Sequence, residues 1–491
     1  MSFFINSLQH FAQHTPNASA LDDGKQTLSY AELHHQVQQL ADEMSKLNPS
    51  AIGVLLDNGM QWVITDLAAQ VLNMPVIPLP HFFTAQQIQH VIQNAGIDAI
   101  LVGQAEQGQA FAAISQQQYS LSFGLHYVQL PHLIDNTLDK TTAKITYTSG
   151  TTGQAKGVCL NIETMAKVSH SLIQATHASS QDRHLCLLPL SLLLENIVGI
   201  YSSLLIGACC CVPSLKTVGL QGSTQLDVLQ LFRSLEQFQA TTAIVLPQML
   251  QAMVEAVEQK GLPKLALRFL AVGGAPVSKQ LLQRAHDCGL PVFEGYGLSE
   301  SASVVALNTI DAHKIGSVGK PLEHIELRFN KDGEILVKGS VAQGYLQQDF
   351  ELDNDYLPTG DLGYLDDEGF LYLTGRKKNC FITGFGRNVA PEWVEAELTL
   401  QPAIAQAFVF GEAKPFNVAV IVPASADVSL DAIQQAIQTA NQSLPDYAQV
   451  KKIIPAQAPF LPDNGQLTAT GRLRRAEILK VYQAAIEQVY C

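Results

Sequence analysis

The sequence predicts an α/β protein with a large N-terminal domain of mostly parallel sheets, a β-rich subdomain and a small C-terminal α+β domain. Three observations support this. The chain has 491 residues, more than one domain of roughly 100–200 residues accounts for. Apolar residues make up 47% and charged residues 15%, which excludes intrinsic disorder. Short apolar runs alternate with amphipathic stretches through most of the chain, as in parallel strands covered on both faces.

The N-terminal elements follow from local signals. Ser29 and Glu32 have the spacing of a capping box, which predicts a helix that begins there and runs to Leu47. Apolar and amphipathic runs then predict strands at 51–56, 75–78 and 99–102 and helices at 61–72 and 84–94. The same alternation resumes with a strand at 145–148 and continues to a strand at 291–293.

The texture of the sequence changes after Gly316. Glycines become more frequent, and segments of alternating apolar and polar residues at 334–338 and 370–374 predict a compact β-rich subdomain. The last part of the chain has helical patterns of its own at 391–400 and 429–444. We therefore expect two domains, residues 1–377 and 378–491.

Charge and cysteine usage limit the partners. The formal net charge of −14 disfavours nucleic acid and anionic membrane surfaces. The eight cysteines include no C-x-x-C pair, so the pattern predicts reduced thiols rather than zinc. The N-terminus lacks a signal peptide, and the uncharged stretch 196–215 contains Gly and Pro, which favours a buried helix and strand over a membrane span. A cytoplasmic location is expected.

The most informative segment is 147–157, YTSGTTGQAKG, directly after a predicted strand. Glycines let backbone N–H groups approach anionic oxygens, hydroxyls add donors, and one lysine supplies a cation for a polyphosphate. Ala155 and Gly157 stand where a Walker A loop requires other residues. A polar surface turn is the alternative. The candidate phosphate ligands are Thr148, Ser149, Gly150, Thr151, Thr152, Gly153 and Lys156.

Further motifs follow in order: GGAP at 273–276, EGYGLSE at 294–300, YLPTGD at 356–361, GRKK at 375–378 and NVAPE at 388–392. Together with segment 147–157 they resemble the adenylate-forming (AMP-binding) superfamily of acyl-CoA synthetases, fatty-acyl-AMP ligases, adenylation domains and firefly luciferase. The loop departs from the family pattern only at Ala155, where the family has proline. The resemblance covers essentially the whole chain.

The resemblance implies roles for individual residues. Gly273, Gly274, Ala275 and Pro276 would lie against the adenine and the acyl pocket. In the next motif, which includes Glu294 and Gly297, Tyr296 would stack on the adenine, Ser299 would contact the α-phosphate and Glu300 would hold Mg²⁺. Asp361 and Arg376 would bind the ribose. Lys378 would be the hinge of a mobile C-terminal domain.

The resemblance also implies a reaction. A carboxylic acid would attack the α-phosphate of Mg-ATP to give an acyl-adenylate and pyrophosphate. A thiol would then displace AMP, and the acceptor would be CoA or the phosphopantetheine of a separate carrier protein, since the chain has no pantetheine-attachment motif of its own. Lys156, Ser299 and Glu300 would act at the phosphates.

One position departs from the family at the reacting centre. The segment LTATGRLRR places Arg472 where the family has the lysine that contacts the carboxylate. Arginine is planar, bulkier and more delocalised than lysine, so the two are not interchangeable. Arg472 would bridge the carboxylate and the α-phosphate, or else slow adenylation and spare thiol transfer. The second outcome leaves open a nucleotide-binding pseudoenzyme.

A leucine-rich run at 188–194 bears on the acid. Leu192 stands where the family often has an aromatic residue or histidine, and with Leu193 and Gly273 it would line an apolar pocket. Core packing is the competing interpretation of these leucines. A fatty or other apolar acid is favoured over an amino acid, because no aspartate is evident for an α-amine. A stand-alone amino-acid adenylation domain remains the second alternative.

Overall fold

A computed structural model describes residues 2–131, 139–148, 156–221, 225–261, 263–468 and 471–490. Within these residues the chain folds into two large mixed sheets, a small antiparallel sheet and a C-terminal α+β unit. The main helices are Phe3–His14, Tyr30–Leu47, Met60–Val71, Ala85–Ala95, Ile162–Ala175, Val228–Gln237, Pro247–Lys260, Lys279–Asp287, Pro391–Thr399, Leu430–Gln442 and Arg475–Val489, with shorter ones at Ala105–Gln109 and Ser202–Ile206.

The first large sheet carries the functional motifs on its central strands. Its parallel centre ends in antiparallel strands at both edges. In spatial order the described strands are Lys320–Pro321, Ala306–Leu307, Val292–Tyr296, Phe269–Val272, Thr242–Val245, Arg183–Leu185, Cys209–Cys211, Ser19–Asp22 and Thr27–Ser29. The expected parallel arrangement therefore holds at the centre, where both faces are covered.

The second large sheet contains the strands predicted from the N-terminal alternation. Its central strands are parallel and its outer ones antiparallel. The described order is Gly344–Tyr345, Lys156–Asn161, Thr142–Thr148, Val76–Pro78, Ile52–Leu55, Ala99–Val102, His126–Gln129 and Gln117–Ser120. Antiparallel pairing of Thr142–Thr148 with Lys156–Asn161 holds the two ends of the predicted phosphate loop side by side, with Thr148 opposite Lys156.

The capping box predicted at Ser29 is present. The Ser29 hydroxyl accepts from the backbone N–H of Glu32, and the Ser29 N–H donates to the Glu32 carboxylate at 2.8 Å. The predicted uncharged stretch from residue 196 forms a π-helical turn, Glu195–Tyr201, then the helix Ser202–Ile206 and the buried strand Cys209–Cys211. Among the described helices, none is long and apolar enough to cross a membrane.

The β-rich subdomain expected after Gly316 is a four-stranded antiparallel sheet of Ile325–Phe329, Glu334–Gly339, Leu357–Leu365 and Leu371–Arg376. Its last two strands carry Asp361 and Arg376, which lie opposite each other in the register.

The C-terminal unit has its own cores. A three-stranded sheet of Ile404–Phe410, Asn417–Pro423 and Val450–Pro455 packs helices on its faces, and its two hydrophobic clusters draw their buried members from residue 381 onward. The unit also contacts the large sheet region: Leu400 packs into a core cluster there, and the Gln251 side chain donates to the Thr399 carbonyl at 3.2 Å.

Candidate active site

A cavity of about 1120 Å³ opens at the carboxyl ends of the first sheet's central strands. Open α/β sheets bind ligands at this edge. Charged residues from several elements line one end, including Lys156, Glu300, Arg376, Lys378 and Arg472. Aliphatic residues line the part that extends along the sheet, among them Leu188, Leu192, Leu193, Val198 and Leu246. One cavity thus joins a polar chamber to an apolar one.

Asp361 is the centre of a buried polar cluster at the edge of the polar chamber, where its partners Tyr296 and Arg376 line the cavity. The Tyr296 hydroxyl donates to Asp361 Oδ2 at 2.7 Å, and Arg376 Nη1 lies 3.1 Å from Oδ1. Burial raises the pKa of Asp361, and the neighbouring Arg376 acts against the rise. Tyr296 is 8% exposed and ends the strand Val292–Tyr296. A carboxylate so placed is an acceptor held between two donors, and its free lone pairs suit a diol.

Glu300 and Lys156 approach each other through a residue that the sequence analysis did not identify, Tyr345. The Tyr345 hydroxyl donates to Glu300 Oε1 at 2.8 Å, and Lys156 Nζ lies 4.7 Å from the centre of the Tyr345 ring. Burial, with Glu300 beside it, raises the pKa of Tyr345. The two-residue strand Gly344–Tyr345 pairs with Lys156–Asn161, which explains the contact. No local pattern marks so short a strand.

The remaining loop positions follow from the same hairpin. Thr148 lines the cavity at the end of its strand. Ser149, Gly150, Thr151, Thr152 and Gly153 lie outside the described residues, so their expected phosphate contacts stay predictions. Ser299 lines the cavity on the short turn Ser299–Ser301 beside Glu300. A single carboxylate with open space beside it suits Mg²⁺, which usually takes one or two protein carboxylates together with phosphate oxygens.

Two glycines are required at the site, one by close approach and one by its backbone conformation. Gly297 lines the cavity, and a Cβ there would lie 1.7 Å from the Ser303 carbonyl oxygen. Gly274 has φ +82°, in the left-handed region that favours glycine. Its carbonyl points to the C-terminal unit and accepts from Arg472 Nε at 3.0 Å and Nη2 at 2.6 Å. Arg472 therefore lies where the two chambers meet, and Arg376, Asp361 and Glu300 are close enough to shift the pKa of its guanidinium.

The structure brings most, not all, of the predicted residues to the cavity. Gly273, Leu192 and Leu193 line it, as does Lys378, whose pKa is lowered by burial and by the neighbouring Arg376. Ala275, Pro276, Glu294 and Asp361 are not among its lining residues, although Asp361 contacts two residues that are, Tyr296 and Arg376. The Glu294 carboxyl is buried and accepts from the Val277 N–H, and burial raises its pKa to about 8. This hydrogen bond ties the segment after the turn 273–276 to the strand Val292–Tyr296, and the expected cofactor contact of Glu294 stays a prediction.

The apolar chamber also contains a polar group that was not predicted from the sequence. His184 and Thr242 line the chamber, and their side chains are 2.9 Å apart at Nδ1 and Oγ1. His184 Nε2 lies 2.8 Å from the Glu195 carboxylate, which is fully buried. Glu195 follows the leucine-rich run directly, but its partner is on a separate strand.

Sequence comparison places the chain among known enzymes. Residues 8–346 match the AMP-binding enzyme family, and residues 379–491 match the AMP-binding enzyme C-terminal domain. The chain is 31% identical to a 2-succinylbenzoate–CoA ligase of Bacillus velezensis, over 84% of this chain and 85% of that protein. It is 26% identical to a long-chain-fatty-acid–CoA ligase of Mycobacterium tuberculosis, over 88% of this chain and 86% of that protein.

Solved structures agree with this assignment. The o-succinylbenzoate CoA synthetase of Bacillus subtilis, in complex with its acyl-adenylate, superposes with a TM-score of 0.79 at 25% identity, over 96% of this chain and 97% of that one. An anthranilate CoA ligase with anthranoyl-AMP has a TM-score of 0.83 over 99% and 98%, and at 17% identity it shows the fold alone. The expected superfamily is confirmed: the chain belongs to the AMP-binding enzyme family and is an adenylate-forming ligase.

Proposed function

We propose that this protein activates an apolar carboxylic acid as its acyl-adenylate and transfers the acyl group to the thiol of CoA. The supporting observation is the continuity of the cavity. The apolar chamber lined by Leu188, Leu192 and Leu246 opens at the Gly274 carbonyl, beside Arg472 and the cluster around Asp361. An acid lying in this chamber presents its carboxylate to the charged end, and its apolar part packs against the leucine side chains.

Each residue of the site has a proposed role in the two half-reactions. The carboxylate attacks the α-phosphate and pyrophosphate leaves, and a bound Mg²⁺ would supply charge neutralisation at the phosphates. Glu300 would hold that ion, Lys156 would contact the phosphates, and Asp361 would accept from the ribose hydroxyls. Arg472 would orient the carboxylate, which must approach a polyanion. In the second step the thiolate attacks the acyl carbon and AMP leaves.

The acceptor is proposed from the relatives, which are CoA ligases by name. A carrier-protein pantetheine remains the alternative acceptor. We also propose that the domains meet at residues 377 and 378 and that the C-terminal unit turns about Lys378 between the two steps. The described cysteines are free thiols, in keeping with the proposed cytoplasmic location.

Acid-dependent exchange of pyrophosphate into ATP tests the proposal. The panel consists of saturated fatty acids, aryl acids and amino acids, with CoA and a phosphopantetheinylated carrier protein compared afterwards for thioester formation. We expect exchange with the apolar acids and thioester formation with CoA. Exchange confined to amino acids would identify an amino-acid adenylation domain. ATP binding without exchange for any acid would identify a nucleotide-binding pseudoenzyme.

Replacing Asp361 by asparagine is expected to weaken ATP binding about tenfold or more. The amide keeps one acceptor oxygen but turns an NH₂ group toward Arg376 or the ribose, so at least one charge-assisted hydrogen bond is lost. Titration calorimetry with ATP measures the change. Asp366→Asn is the matched control, because Asp366 lies further along the same hairpin and pairs with Lys314 at 2.7 Å. Equal affinities in both variants would contradict the assignment.

The hinge is tested by Lys378→Pro, which is expected to impair thioester formation more than adenylation. Proline fixes φ near −65° and removes the N–H, so it restricts backbone rotation at this position. Lys378→Ala removes the same side chain and leaves the backbone free, which separates rotation from charge. Single-turnover assays of the two half-reactions give the comparison. Equal losses in both half-reactions of Lys378→Pro would argue against rotation at this residue.

A further inference from the structure

The apolar chamber follows one face of the central strands. Residues at alternate positions line it, Thr242, Ile244 and Leu246 along one strand and Phe269, Ala271 and Gly273 along the next, and Ala243 and Val272 also contribute to the lining. Alternate residues of a strand share a face. An acyl chain that starts at Gly273 therefore runs back along the strands toward their N-terminal ends.

The register gives the length of this path. His184, Thr242 and Phe269 are level with one another across three parallel strands. Phe269 precedes Gly273 by four positions, which is about 13 Å along a strand at 3.3 Å per residue. Carbon–carbon bonds near 1.5 Å advance an extended chain by about 1.25 Å each, so the level of Thr242 corresponds to on the order of ten carbons.

At this level the chamber ceases to be purely apolar. Thr242 presents a hydroxyl, and His184 is held between Thr242 and Glu195. The π-helical turn Glu195–Tyr201 closes over the pair. A Cβ on Gly199 would lie 2.8 Å from His184 Nε2 and 2.9 Å from Glu195 Oε1. Single π-helical turns often mark functional sites, and a buried carboxylate has a desolvation cost that calls for an explanation.

The hydrogen-bond directions indicate what the site recognises. Both oxygens of Glu195 accept, Oε2 from the Leu188 N–H at 2.9 Å and Oε1 from the His184 ring. A carboxylate oxygen only accepts, so Nε2 carries the ring proton; in this tautomer Nδ1 accepts, and it takes the Thr242 proton. Thr242 Oγ1 then has only lone pairs left for the chamber. A ligand group that hydrogen-bonds to this oxygen must therefore be a donor.

We propose that the acyl chamber selects a carboxylic acid with a hydroxyl group on its chain, on the order of ten carbons from the carboxylate, which donates to Thr242 Oγ1. This inference rests on the proposed function. His184 and Glu195 are positioning residues that fix the orientation of the threonine hydroxyl. A methyl end leaves the lone pairs of Thr242 Oγ1 without a donor, and an ether or ketone brings a second acceptor against them.

The test compares specificity ratios. Saturated acids around decanoic acid are assayed by pyrophosphate exchange in three forms: unsubstituted, with a terminal hydroxyl, and with a terminal methoxy group that only accepts. For the wild type we expect kcat/KM for the best hydroxy acid to exceed that of its two partners by about tenfold, the value of one well-formed hydrogen bond. In Thr242→Val this preference should disappear, and Thr242→Ser should restore it.

The outcomes separate this inference from the proposed function. Exchange that is equal for hydroxylated and unsubstituted acids would overturn the inference and leave acid activation standing. A preference that survives in Thr242→Val would also overturn it, because another group would then contact the hydroxyl. No exchange with any chain acid, despite ATP binding, would overturn the proposed function itself. Circular dichroism of each variant confirms that the fold is retained.

Discussion

Replacing Arg472 by alanine is expected to lower acyl-adenylate formation by about 100-fold or more, the usual cost of removing one preorganised donor from a reacting centre. The Arg472 guanidinium donates twice to the Gly274 carbonyl and lies near Glu300, Asp361 and Arg376. This is the point where a carboxylate approaches a triphosphate. Without a cation there, two anions have to meet with less compensation.

The variant series separates charge from shape. Arg472→Lys keeps the positive charge but loses the planar fork that contacts Gly274, so we expect an intermediate rate. Lys480→Ala is the control: it removes a lysine from the outer face of the last helix, where Lys480 pairs with Glu477. This variant should catalyse pyrophosphate exchange at the wild-type rate. Acid-dependent pyrophosphate exchange measures the first step, and thioester formation from added acyl-adenylate measures the second.

Two results would contradict the assigned role. Exchange at the wild-type rate in Arg472→Ala would mean that another group orients the carboxylate. A loss confined to thioester formation would place Arg472 in the second step instead. Faster exchange in Arg472→Lys than in the wild type would show that arginine slows adenylation, the cost that the sequence alone left open.

The site could be predicted where its residues belong to contiguous motifs. The motifs identified Asp361, Arg376 and Glu300 without a structure, and the capping box located the helix from Tyr30. Their mutual geometry could not be predicted, because it depends on pairing between strands. Asp361 faces Arg376 only because a hairpin places them in register. Tyr345 reaches Glu300 from a strand of two residues, too short for any periodicity.

Electrostatic partners that are distant in the chain could not be predicted from the sequence either. Glu195 gave no sign of its bond to His184, since a glutamate after a leucine run is usually exposed. Lys144 stands in the strand Thr142–Thr148, where a single charge suggests a solvent-facing position. In the folded chain its side chain is 2% exposed. Burial of this kind is decided by tertiary packing, which no local pattern encodes.

Lys144 belongs to a buried network that connects the strand before the phosphate loop to the wall of the acyl chamber. Its ammonium lies 2.8 Å from Asp66 Oδ1 and donates to the Tyr201 hydroxyl at 2.9 Å, and it also contacts Asn196. The Tyr201 hydroxyl in turn donates to Asp66 Oδ2 at 2.6 Å. Burial lowers the pKa of Lys144, while Asp66 opposes the change. The buried charges of Lys144 and Asp66 therefore compensate each other.

Replacing Lys144 by methionine is expected to destabilise the fold by about 3–5 kcal/mol, because it leaves the Asp66 carboxylate buried without its cation. Thermal unfolding followed by circular dichroism measures the loss. Lys167→Met is the matched control: Lys167 pairs with Glu163 on a helix surface, with 59% of its side chain exposed, and exposed pairs contribute about 0–1 kcal/mol.

The double variant Lys144→Met with Asp66→Leu decides whether the ion pair itself stabilises the fold or only compensates its own desolvation. If compensation dominates, removing both charges should recover most of the stability lost in Lys144→Met. Stability as low as in the single variant would show that the network contributes beyond neutralisation. If the refolded double variant keeps its stability but loses pyrophosphate exchange, then the pair is retained to hold the phosphate-loop strand against the π-helical turn.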